Sequence, residues 1–63
     1  MTISDKIQLF NAAYKLALEL LAEKKIDVPG LALKLNDGVR SQMKVSDDPA
    51  VIAEAAVNSI ISF

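Results

Sequence analysis

The sequence predicts an all-α fold, a small three-helix domain with a long first helix, a short or Gly-broken second and an apolar third. Three observations predict it. Residues 4–25 contain no Gly or Pro, and their apolar side chains recur at alternating spacings of three and four, the repeat of an amphipathic helix. Ser46-Asp47-Asp48-Pro49 precedes a second long apolar run, and an Asp cap followed by Pro at the first helical position is a helix-start signal. Finally, 63 residues without an internal repeat or low-complexity segment make one helical domain over 1–63.

The first helix is expected over about Ser4 to Lys25. Thr2 or Ser4 can serve as its N-cap, and Asp5 then places a carboxylate in the first turn, where the helix dipole favours it. Ala, Leu, Glu and Lys dominate the segment, and all four are strong helix formers. Placed at 100° steps, Ile3, Ile7, Phe10, Tyr14, Ala17 and Leu21 form one apolar stripe. Leu9, Ala13, Leu16 and Leu20 form a second beside it, and Gln8, Asn11, Lys15, Glu19 and Glu23 gather on the other side. The apolar arc covers roughly 200°, against the 100° or so that one packing partner needs. Two stripes imply two sets of neighbours. Ile7, Phe10, Tyr14 and Leu21 are assigned to the chain's own core, and Leu9, Ala13, Leu16 and Leu20 to another protomer, although the pattern equally allows the two stripes to exchange roles. A monomer whose shorter helices cover both flanks of the first is the competing arrangement.

Ile26-Asp27-Val28-Pro29-Gly30 ends that helix, and Asp27 is a reasonable cap for one beginning near Val28 or Pro29. From Leu31 to Val45 two structures compete. At helical spacing Leu31, Leu35, Val39 and Met43 recur every fourth residue, with Ala32 and Gly38 on the same face. At period two Leu31, Leu33 and Leu35 alternate with Ala32 and Lys34, and Asn36-Asp37-Gly38 becomes the turn of an α-β-hairpin-α fold. The hairpin has the better turn chemistry, because Asn, Asp and Gly tolerate a left-handed φ. The helix has the better local propensity, and a lone hairpin is marginally stable. A helix is therefore preferred, continuous or broken at Gly38, where Gly costs about 1 kcal/mol relative to Ala.

The third helix begins at Asp48-Pro49. Ile52, Ala53, Ala56, Val57, Ile60 and Phe63 share one broad face, and Glu54 is the only charge after Pro49. This helix is expected to be largely buried, with Phe63 docked and with Ile60 and Phe63 contributing to the contact between protomers.

Composition excludes more than it identifies. A domain of this size buries only about 60% of the surface its unfolded chain exposes. The usual staples are missing, because the chain has no Cys and no His. What remains is an apolar core and oligomerisation, and 52% hydrophobic residues with a mean hydropathy of +0.33 fit both. Seven basic against eight acidic residues and a pI near 5.1 argue against nucleic acid, whose binders gather a basic excess on one face. Lys24-Lys25 is the longest basic run, and it sits where cations complement a helix C-terminus. No run approaches the 18 or so apolar residues of a membrane span. Membrane-surface binding by the third helix is disfavoured too, since interfacial helices carry Lys or Arg on their polar face. Met-Thr-Ile-Ser-Asp-Lys does not read as a signal peptide, so a cytoplasmic location is expected.

No catalytic constellation, cofactor motif or metal-ligand set stands out, and an enzyme is not expected. Glu19 and Glu23 are paired at i, i+4 and could hold a divalent cation, but paired carboxylates on an amphipathic helix usually form a solvated face. Asp47-Asp48 is accounted for as a cap before Pro. Tyr14 reads as a half-buried core residue with its hydroxyl at the rim, and Met43 as core filler. The expected role is protein–protein interaction, as a small accessory, adaptor or inhibitor-type protein that self-associates, a dimer being favoured. The candidate oligomer interface is Leu9, Ala13, Leu16, Leu20, Ile60 and Phe63. The alternative is a dimeric DNA-binding regulator, in which a hairpin strand would present Arg40, Gln42 and Lys44 to a groove. Against it, only one helix follows that strand, where a ribbon-helix-helix protein needs two.

Overall fold

Three helices make up the regular structure: α1 (Ile3–Glu23), α2 (Ala32–Gln42) and α3 (Pro49–Ile61). The structure is a computed structural model and describes residues 2–26 and 30–61. There is no strand among the described residues, so the all-α expectation holds and the hairpin alternative for Leu31 to Val45 is overturned.

α1 starts at a reciprocal cap. The Thr2 hydroxyl accepts from the Asp5 backbone N–H at 3.1 Å, and the Thr2 N–H donates to Asp5 Oδ2 at 3.3 Å. Thr2 rather than Ser4 is thus the cap, and two otherwise orphaned donors are satisfied. At the other end Lys25 takes a left-handed φ of 59°. Its N–H donates to the Ala22 carbonyl at 3.1 Å, and the Ile26 N–H donates to the Leu21 carbonyl at 3.0 Å. This is the Schellman pair of bonds, here with Lys where Gly is usual. Ile26 is half-buried and packs on the core, in the position that follows such a turn.

α2 runs through Gly38 without a break. It does so because Leu35 and Val39, one turn apart, are fully buried in the core, a packing gain that an isolated hairpin lacks. α2 and α3 pack against each other at this point, where a Cβ on Gly38 would meet the Ala56 Cβ at an ordinary contact distance of 3.5 Å. The helix begins later than expected, at Ala32, with Leu31 at the cap and no side-chain cap bond. Asp27, the expected cap, lies outside the described residues. α3 starts as the sequence predicts. Asp48 Oδ1 accepts from the Ala50 N–H at 3.0 Å, and the Ser46 hydroxyl accepts from the Asp48 N–H at 3.1 Å.

α2 returns along α1, bringing Arg40 to Phe10, and α3 packs against both. The core contains Ala13, Ala17 and Leu21 of α1, Leu35 and Val39 of α2, and Ile52, Ala53, Ala56, Val57 and Ile60 of α3. Small residues let the backbones close up, while Leu21, Leu35 and Ile52 fill the space between them. Burying each such side chain contributes roughly 1.5–3 kcal/mol.

Helix length decides what stays outside. α1 has 21 residues and measures about 31 Å at 1.5 Å per residue, close to the 34 Å long axis of the molecule. α2 and α3, with 11 and 13 residues, are about 16 and 20 Å long and cannot cover it. Its N-terminal turns therefore project: Ile3 is 78% exposed and Ile7 55%. The assignment of Ile7 to the core is corrected for this reason. Phe10 and Tyr14 are half-buried, and only Leu21 of that group is fully enclosed.

Candidate functional site

The surface carries two clefts of opposite charge on opposite flanks of α1. On the flank that meets α2, the projecting turns of α1 and the end of α2 enclose a cleft of about 420 Å3 lined by Lys6, Arg40, Met43, Lys44 and Asp47. It adjoins a second hollow of about 270 Å3, which adds Ile3, Ile7 and Phe10. The floor is apolar and the rim holds three cations against one carboxylate.

Aromatic packing sets this end of the molecule. Phe10 and Tyr14 stack at 5.6 Å between ring centroids, 27° from parallel, as residues one helical turn apart can. Arg40 places its guanidinium carbon 5.7 Å from the centroid of the Phe10 ring, a cation–π contact joining α2 to α1. Met43 is half-buried beside them, and Lys44 lies in the turn that ends α2.

On the flank that meets α3, a cleft of about 290 Å3 is floored by Leu16, Leu20, Ala50 and Ala53 and rimmed by Glu19, Glu23 and Glu54. Its described lining holds three carboxylates and no cation. A third, shallower hollow lies between α2 and α3, along Lys34, Gly38, Ser41 and Ser59.

The expected interface residues divide among these surroundings. Leu16 and Leu20 line the acidic cleft, half-buried against the core. Leu9 is also half-buried. Ala13 and Ile60 belong to the chain's own core at 0% and 5% exposure, so they have almost no surface to offer a partner. Ala13 faces inward because the core line of α1 runs between the two apolar stripes, taking Ala13 from one and Ala17 and Leu21 from the other. Phe63 lies outside the described residues.

The basic cleft escapes sequence reasoning, although its signal is present. Arg40, Met43 and Lys44 stand at i, i+3 and i+4, one helical face, yet at hairpin spacing Arg40 and Lys44 pair with Gln42 instead. That Lys6 joins them depends on α2 running back along α1, which no local pattern announces.

No polar or charged side chain is buried among the described residues. No group of three or more metal-ligating side chains occurs among them, and no helix there is long and apolar enough to cross a membrane. No protein-family model, curated protein or solved structure matches this chain.

Proposed function

We propose that this chain is a non-enzymatic protein–protein interaction module, of accessory, adaptor or inhibitor type, that self-associates and works in the cytoplasm. One observation carries the proposal: the apolar surface of α1 continues outside the core. Ile3 and Ile7 project at one end, and Leu16 and Leu20 floor an open cleft further along. Exposed apolar surface rimmed by charge is characteristic of protein contact sites. A standard interface takes about 800 Å2 from each partner. That is about a fifth of the 4331 Å2 this molecule exposes, so the contact must extend beyond a single helix. The open, solvated clefts also suit a surface-acting protein better than catalysis, which needs groups converging in a shielded pocket.

DNA binding drew its support from a ribbon presenting Arg40, Gln42 and Lys44. With a helix and its closing turn over these residues, that support is gone.

Sedimentation velocity of the full chain at micromolar concentration tests the proposal. Species heavier than 6.8 kDa are expected, growing with concentration. Leu16→Glu, which puts a carboxylate on the apolar cleft floor, should shift the population to monomer, with circular dichroism reporting whether helicity is kept. A single 6.8 kDa species at every concentration would sink self-association.

A further inference from the structure

We infer that the acidic cleft of one copy receives the basic end of another, so that copies of this chain join head to tail through unlike surfaces. The inference rests on the self-association proposed above and specifies its geometry.

The two surfaces match in three respects. Their charges are opposite: Lys6, Arg40 and Lys44, offset by Asp47, against Glu19, Glu23 and Glu54. Their apolar parts can meet, because Ile3 and Ile7 stand exposed on the projecting turns of α1 while Leu16 and Leu20 floor an open cleft. Both are apolar at the centre and charged at the rim, the usual anatomy of a protein interface. Pairing either surface with itself would bring like charges together, which disfavours association and excludes the wrong register.

Placement determines the symmetry. The basic cleft lies where α1 meets α2, and the acidic cleft where α1 meets α3. One partner cannot cover both flanks of α1 at once, so a two-fold pair cannot make both contacts. A head-to-tail pair therefore keeps one unused basic end and one unused acidic cleft, and the series either closes into a ring or extends. A dimer is then its smallest member.

Two charge reversals test this on the full chain. Glu19→Lys/Glu23→Lys reverses the acidic rim, and Lys6→Glu/Lys44→Glu reverses the basic one while leaving Arg40 on Phe10. All four positions are exposed, and unchanged helicity confirms the fold. Each variant alone should associate about a hundredfold more weakly than the parent. Mixing the two should restore assembly, because the intact basic end of one meets the intact acidic cleft of the other. If either double variant loses helicity, Glu19→Gln and Lys44→Gln take its place, each expected to weaken association about tenfold. Variants that assemble as well as the parent, or that stay apart when mixed, would overturn the head-to-tail contact and leave self-association standing. A parent that remains monomeric at all concentrations would overturn both.

Discussion

The guanidinium carbon of Arg40 lies 5.7 Å from the centroid of the Phe10 ring, joining the last turn of α2 to the second turn of α1. Beyond this point α1 projects alone, so the contact marks the edge of the packed bundle. An exposed cation–π pair contributes about 0.5–1 kcal/mol. Arg40→Ala should lower the unfolding free energy by about that much in urea titration. Phe10→Leu, which keeps an apolar side chain but removes the ring, should make the Arg40→Ala loss much smaller in a double-mutant cycle.

Leu33 and Leu35 differ sharply although two residues apart. Leu35 is fully buried and Leu33 is 83% exposed, as a helix requires and as an alternating strand forbids. Leu35→Ala should cost about 2–5 kcal/mol, enough to unfold much of a domain this small. Leu33→Asp should leave the thermal midpoint within a few degrees of the parent. Equal effects at the two positions would contradict the placement of α2.

Gly38 offers the reverse experiment. An added Cβ would meet Ala56 and Ser59 at 3.5 and 3.6 Å, ordinary contact distances. Gly38→Ala should therefore stabilise the protein by up to about 1 kcal/mol through helix propensity. Gly38→Leu should destabilise it by about 1–3 kcal/mol, since the larger side chain forces α2 from α3. Chemical denaturation of the three proteins compares them directly.

Lys25 holds a left-handed conformation that costs a side chain with Cβ roughly 1–2 kcal/mol. Lys25→Gly relieves this and keeps both backbone bonds of the turn, so a rise in the thermal midpoint is expected, trimmed by the greater freedom of Gly in the unfolded chain. Lys25→Val should lower the midpoint, because a branched Cβ suits that φ poorly.

The two capped helix starts should respond unequally. Asp48 holds the first turn of α3, whose residues Ile52 and Ala53 are buried, so Asp48→Ala should cost about 1 kcal/mol of global stability. Thr2 caps turns that project from the bundle, and Thr2→Ala should fray them with little global loss. Amide hydrogen exchange separates the cases: faster exchange confined to the first turns of α1 for Thr2→Ala, and across all three helices for Asp48→Ala.

Local chemistry made much of this protein readable from its residues. The start of α3 follows from Asp48-Pro49, the start of α1 from Thr2 and Asp5, and the inward face of α3 from the spacing of Ile52, Ala56 and Ile60. Each depends on neighbours within about one helical turn. Tertiary packing decided the rest. Ile7 became surface because α2 and α3 are too short to reach the end of α1, and Ala13 became core because the line of contact on α1 runs between its two stripes. The hairpin gave way to a helix because Leu35 and Val39 find buried places on one face, which turn propensities at Asn36-Asp37-Gly38 cannot foresee. The charged clefts arise only when α2 brings Arg40 and Lys44 back to Lys6, and α3 brings Glu54 to Glu19 and Glu23. Those residues are more than thirty positions apart, and only the path of the chain makes them neighbours.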